Sequence, residues 1–81
     1  MVSSLQNGRR ITSAKDLGAI VAALRKAQRL TQLDLAGLGG TGNRFICDLE
    51  NGKPTLQFDK VMAVLELLGL DVIIVPRGNG P

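Results

Sequence analysis

The stretch TQLDLAGLGGTGNRFICDLENG, residues 31–52, decides how the chain is read. Thr31 followed by Asp34 is a helix start, because a Thr side chain can take the backbone N–H groups that open a first turn. Leu35, Ala36 and Leu38 then supply an apolar face, and the glycines stop the helix, which spans about residues 32–38. Gly39, Gly40 and Thr41 form a turn. After it, Phe45, Ile46, Leu49 and Glu50 predict another short helix of about nine residues, closed at Asn51-Gly52 by a left-handed cap.

Outward from this pair the same patterns continue. Ser13 followed by Asp16 has capping-box character, and Leu17, Ile20, Val21 and Leu24 recur at helical spacing, predicting a first helix over about residues 14–28. Lys53-Pro54 marks a loop, Thr55 is expected to cap a fourth helix, and Phe58, Val61, Met62, Leu65 and Leu68 share its apolar face. Gly69 ends that helix, with Leu70 folding back. Residues 1–12 read as an arm, or as a short strand at residues 10–12. Residues 70–76 (LDVIIVP) are β-branched and apolar and read as a strand. Residues 77–81 read as a loose tail.

Composition narrows the function classes. The chain has 81 residues, one cysteine (Cys47), no histidine, no Trp or Tyr and two Phe, so its core is aliphatic. A domain this small buries only about 60% of its unfolded surface, which favours recruitment of a second copy. A lone Cys without His excludes a disulfide framework and a zinc site. The first ten residues lack the apolar run of a signal peptide, and no run approaches the ~18 residues of a membrane span, so the expectation is a cytoplasmic protein without membrane attachment. Ten Lys and Arg against seven Asp and Glu leave +3, which permits nucleic-acid binding without requiring it. An enzyme is not expected: no nucleophile has a neighbouring base, and GGTGNR lacks the Lys of a phosphate-binding loop. No cofactor is implied.

Two short helices around a tight turn, inside four helices complete by residue 69, have the geometry of a helix-turn-helix, whose second helix enters the major groove. Periodicity alone also fits a helical bundle that touches no DNA. The residues add more: Arg25, LTQLDLA at residues 30–36, Gly40, and FICDLENGKP at residues 45–54 together resemble the XRE (phage-repressor and Cro-like) helix-turn-helix family, ungapped from about Leu17 to Leu68. NRFICDLENGKPTLQFDKVMAVLELLGLDV, residues 43–72, is similar to the HipB-type antitoxin branch, in which the bundle is followed by a C-terminal strand. The fold this implies is all-α: a small four-helix, lambda-repressor-like bundle over residues 13–69, with a strand at 70–76 that pairs across a homodimer.

The resemblance also implies roles. Thr31 and Gln32 open the second helix, where N–H groups and an amide can hold a phosphate. Thr41, Gly42, Asn43 and Arg44 start the recognition helix, and Asn43 and Arg44 are the first candidates for reading adenine and guanine edges. Phe45 has two readings, a contact with a sugar or thymine methyl and a partly buried packing residue. Cys47 and Asp48 fall on or near the face of Arg44. Asp48 accepts from cytosine N4, tethers Arg44 at i, i+4, or turns aside, and the sequence does not choose. Glu50 pairs with Arg25 in a structural role, while Asn51 and Lys53 approach a phosphate. Arg9, Arg10, Lys26 and Arg29 add general attraction to DNA or, more plainly, form solvated faces. Gly37, Gly39 and Gly42 depart from the family pattern, and DNA is expected to order this segment.

A lone apolar strand must pair with something. Pairing with a second copy would use Leu70, Val72, Ile73, Ile74 and Val75 and set two recognition helices on a palindromic operator; pairing within the chain would use residues 10–12. The resulting expectation is a dimeric repressor of double-stranded DNA that also neutralises a HipA-type kinase toxin. The alternatives are a stand-alone regulator or the antitoxin of another toxin type, and a protein-interaction module. The last would not need the Thr31-Gln32, Asn43-Arg44 and Asn51-Lys53 set.

Overall fold

A computed structural model describes residues 8–78, so expectations that fall on residues 1–7 and 79–81 lie outside the described residues. Four helices follow one another: α1 Ala14–Ala27, α2 Gln32–Gly39, α3 Asn43–Glu50 and α4 Phe58–Leu67. Four of the helix ends follow local chemistry. Ser13 Oγ accepts from the Asp16 N–H at 3.1 Å, and the Asp16 carboxylate reaches back to the N–H and hydroxyl of Thr12, at 2.9 and 3.0 Å. Thr31 and Asp34 form a complete capping box, each side chain accepting from the other's backbone N–H at 3.0 and 2.9 Å. At the far ends, Gly52 and Gly69 take the left-handed backbone, with φ of 82° and 81°. They turn the chain so that Lys53 N donates to Asp48 O and Leu70 N to Leu65 O.

Two expectations about α4 are corrected. Its N-cap is Gln57 rather than Thr55, because residues 54–56 are used in a turn that brings Leu56 against the core. Phe58 is 69% exposed instead of buried. It is the first residue of the helix, where a side chain leans back toward the N-terminus and past the end of the core, and Leu56 takes the inner place. Gly39, expected in the turn, is the last residue of α2, and Gly40 carries the left-handed cap at φ 67°.

The core is aliphatic, as the composition requires. Val21 and Leu24 of α1, Leu35 and Ala36 of α2, Ile46 and Leu49 of α3, and Val61, Val64, Leu65 and Leu68 of α4 form one cluster. Leu17, Leu30, Phe45, Met62 and Leu70 pack around it, which places Phe45 on its packing reading.

Residues 71–77 run on without regular structure, and among the described residues there is no strand. The expected strand at 70–76 and the pairing with residues 10–12 are therefore not found within the chain. One reason is local: the Thr12 N–H, which a ladder would use, is already donated to Asp16. Leu70 folds onto its own core, while Val72, Ile73, Ile74 and Val75 are all exposed, Ile74 by 93%. Val72 also borders an open apolar groove of about 250 Å³, with Ile11, Leu17, Leu56, Phe58 and Met62 along it.

Gly18 and Gly52 carry a tight contact between α1 and the end of α3. A Cβ at Gly18 would strike the carbonyl oxygen of Leu49 and lie 2.7 Å from that of Glu50, and one at Gly52 would lie 2.7 Å from Lys15 Cα. Both neighbours are backbone, which cannot swing aside. Gly18→Ala is expected to lower stability by about 1–3 kcal/mol, the usual cost of overpacking. Urea unfolding measures this, and an unchanged midpoint would show that α1 and α3 separate without cost.

Candidate nucleic-acid interface

The short helices α2 and α3 share a tight turn at Gly40–Gly42, and α3 lies across the bundle with Ile46 and Leu49 buried. The helical repeat then turns the opposite face outward. Asn43 and Arg44 are exposed in its first turn, Cys47 and Asp48 are half-buried one turn on, and Asn51 is exposed at its end. Thus the residues expected to meet base edges occupy one face. The N-cap of α3, Gly42, makes no side-chain cap bond, and only its carbonyl oxygen serves the first turn, accepting from the Phe45 N–H at 3.1 Å.

The C-terminal end of α3 is held much more firmly. Arg25 Nε donates to Glu50 Oε2 at 2.6 Å and Arg25 Nη2 to Glu50 Oε1 at 3.0 Å, with the two side chains 10% and 6% exposed. Arg25 Nη1 donates to the Leu30 carbonyl at 2.8 Å, and Gln32 Nε2 to Glu50 Oε1 at 3.0 Å. The expected structural pair is present, with two partners the sequence did not reveal. Burial pushes the Glu50 pKa up, but the hydrogen bonds from Arg25 and Gln32 and the charges of Arg25 and Lys26 outweigh it and leave the pKa below its usual value. The Arg25 guanidinium is pushed up, chiefly by its hydrogen bonds to Glu50.

On the outer face Asp48 tethers Arg44. Arg44 Nε donates to Asp48 Oδ1 at 3.2 Å, and Lys53 Nζ lies 3.6 Å from Asp48 Oδ2. Of the three readings open for Asp48, the i, i+4 tether is the one observed, and Lys53 joins it. A surface pair of this kind contributes about 0.3–0.5 kcal/mol to the helix. Asn51 Nδ2 contacts Cys47 Sγ at 3.5 Å.

The remaining positions divide. Thr31 holds its own helix cap, and the Gln32 amide nitrogen is used by Glu50, leaving the first-turn N–H groups of α2 as its donors toward a phosphate. The Thr41 hydroxyl is buried and has no partner among the described residues. Arg9, Arg10, Lys26 and Arg29 are all exposed. Among the described residues there is no cluster of three or more metal-ligating side chains, and no helix is long and apolar enough to cross a membrane. Sequence reasoning missed Gly18, whose signal was a glycine in the middle of a well-capped amphipathic helix, a frequent mark of close backbone approach.

Comparison with known proteins agrees with this geometry. Residues 21–74 match the family described as Helix-turn-helix. An uncharacterised HTH-type transcriptional regulator, y4mF, of Sinorhizobium fredii (strain NBRC 101917 / NGR234) is 50% identical over 71 residues, spanning 88% of this chain and 93% of its own. Among solved structures, the fold resembles a chain of the HipA-HipB-O2-O3 complex with TM-score 0.79 at 21% identity, covering 86% of this chain and 99% of that one. A chain of the HipB-O4 20mer complex gives TM-score 0.78, also at 21% identity, with the same shares covered.

Removing one partner of the buried pair leaves the other charge uncompensated. Glu50→Ala is therefore expected to cost about 3–5 kcal/mol, read by thermal or urea unfolding. In the native protein the stability from ionised Glu50 is complete above the unfolded glutamate pKa of about 4.3 and is lost as pH falls through the lower folded value. Glu50→Gln should flatten stability against pH below about pH 4. An equal acid slope in both proteins would place the loss on other carboxylates, Asp16 and Asp34 first, since their hydrogen bonds from Thr12 and Thr31 also hold their pKa values low.

Proposed function

The chain belongs to the helix-turn-helix family of DNA-binding transcriptional regulators and is not an enzyme; from that premise we propose that it is a dimeric repressor and the HipB-like antitoxin of a HipA-type kinase, controlling its own operon. The observation that carries the DNA part is the outward face of α3, with Asn43 and Arg44 exposed together at its first turn. Asn43 reads adenine and Arg44 reads guanine, each good bidentate contact discriminating by about 1–3 kcal/mol. Thr31, Gln32, Thr41, Gly42, Asn51 and Lys53 flank them toward the phosphates, Cys47 completes the surface, and the protein works in the cytoplasm where its operator lies.

The dimer part rests on the exposed apolar row Val72, Ile73, Ile74 and Val75. Four such side chains in sequence are costly to leave in water, and a two-fold pairing of this segment with its copy would supply the missing ladder and bury its Val72 and Ile74 face. Two recognition helices would then meet half-sites about 34–36 Å apart on a palindromic operator. The antitoxin part draws support from the fold likeness, which spans nearly the whole of a chain found in a complex with HipA.

A second reading, a stand-alone regulator, is favoured by the much higher identity to the Sinorhizobium regulator than to HipB. Co-expression with the adjoining gene separates the two. A neighbouring HipA-type kinase whose toxicity the chain abolishes supports the first; repression of its own promoter without any such kinase supports the second.

Arg44→Ala should weaken binding to the selected operator far more than to random duplex, measured by fluorescence anisotropy, whereas equal losses would remove Arg44 from base readout. A chain ending at Leu70 keeps the core contact of that residue and loses the exposed row. Sedimentation should find it monomeric, and a dimer of unchanged affinity would move the interface elsewhere on the bundle.

A further inference from the structure

We propose that Asp48 is a positioning residue that sets the pose in which Arg44 reads DNA, an inference that rests on Arg44 facing base edges. The contact chosen within the guanidinium is the reason. Asp48 Oδ1 takes Nε, the inner nitrogen, at 3.2 Å, and no other contact holds Arg44 among the described residues. Both Nη groups are left as a free fork at the end of a side chain that is 86% exposed, and a parallel pair of N–H groups is what guanine O6 and N7 accept. The carboxylate itself is only 21% exposed, so it lies lower on the helix surface, beneath the fork it steadies.

Lys53 makes such a carboxylate tolerable on a DNA face. An unaccompanied carboxylate there would be repelled by phosphates. Asp48 instead has a cation at each oxygen, Arg44 at Oδ1 and Lys53 at Oδ2, and the trio carries a net positive charge. Lys53 can reach because Gly52 turns the chain back, with Lys53 N bonded to Asp48 O at 3.0 Å. In free solution the Arg44–Asp48 pair is weak, and it strengthens when the groove excludes water. Asp48 thereby trades general attraction to phosphate for discrimination between bases.

The test uses the full chain and a duplex selected from a randomised pool. Wild type, Arg44→Ala, Asp48→Ala and the double variant are titrated against that duplex, against a random duplex, and against versions with each guanine replaced. Asp48→Ala removes a half-buried side chain in favour of a strong helix former, and thermal unfolding checks that it folds. It should bind random duplex more tightly, yet lose about fivefold or more of the discrimination at the guanine that Arg44→Ala identifies. The double variant should discriminate no less than Arg44→Ala. If Asp48→Ala strengthens every duplex by one factor and keeps its discrimination, Asp48 merely repels phosphate and the proposal is overturned. If Arg44→Ala itself keeps wild-type discrimination, the reading of Arg44 fails and takes the proposal with it.

Discussion

The orientation of α3 depends above all on the ion pair between Arg25 and Glu50. The pair lies almost fully out of water, where desolvation alone would make it a poor source of stability. Its geometry changes that balance. Both Glu50 oxygens accept, and all three Arg25 nitrogens donate, with the Leu30 carbonyl and the Gln32 amide completing the set. Four pieces of chain are fixed to one another: the last turn of α1, the left-handed turn at Arg29 that follows it, the start of α2 and the end of α3. An eight-residue helix with no side-chain cap has little stability of its own, so these outside contacts decide where α3 sits.

The glycine contacts act on the same end. Gly18 lets α1 approach the carbonyls of Leu49 and Glu50, and Gly52 lets the following turn approach Lys15. An ion pair limits distance through charge but tolerates some tilt, whereas backbone against backbone leaves little. Together they hold the C-terminal half of α3 from two sides. The N-terminal half is held by Ile46, the partial packing of Phe45 and backbone bonds at the turn, Phe45 N to Gly42 O and Thr41 N to Ala36 O, with no buried side-chain ion pair there among the described residues. This asymmetry follows from residue type: a side-chain cap would immobilise the first turn, and Gly42 has no side chain to offer.

Much of this was legible in the sequence because it is local. Ser13, Thr31, Gly52 and Gly69 each announce a helix end through bonds within about five residues, and all four behave as expected. The core followed from periodicity, apart from Leu38, which was expected on the apolar face of α2 but is 63% exposed, and Phe58, whose spacing fits the apolar face although the helix begins too late to carry it inward. The candidate readers Asn43 and Arg44 came from the family resemblance, and the structure puts both on the exposed face of α3. Other features depend on where distant chain passes. Nothing near Thr55 shows that Leu56 will be drawn into the core and delay α4. Lys53 reaches Asp48 across five residues only because Gly52 reverses the chain, a contact outside the helical repeat. The strand reading took composition as its evidence, but a strand exists by its partner, and residues 71–77 find none in their own chain.

The same asymmetry bears on how an interface of this kind achieves specificity. A recognition helix rigid throughout would meet DNA with its readers already placed and would lose little entropy, gaining affinity for correct and incorrect sites alike. Here the rigid end carries Lys53, Asn51 and the neighbouring backbone, which can meet phosphate on any sequence and set the register. The uncapped end carries Asn43 and Arg44, which on the proposed reading would recover the cost of fixing the first turn only where they find matching bases. A phosphate-clamped end beside an uncapped reading end would then make the fixing cost nearly constant across sequences and its recovery dependent on the correct one. On the proposed reading, Gly42 would act as a specificity element, because its missing side chain leaves the Asn43 and Arg44 end of α3 without a side-chain cap.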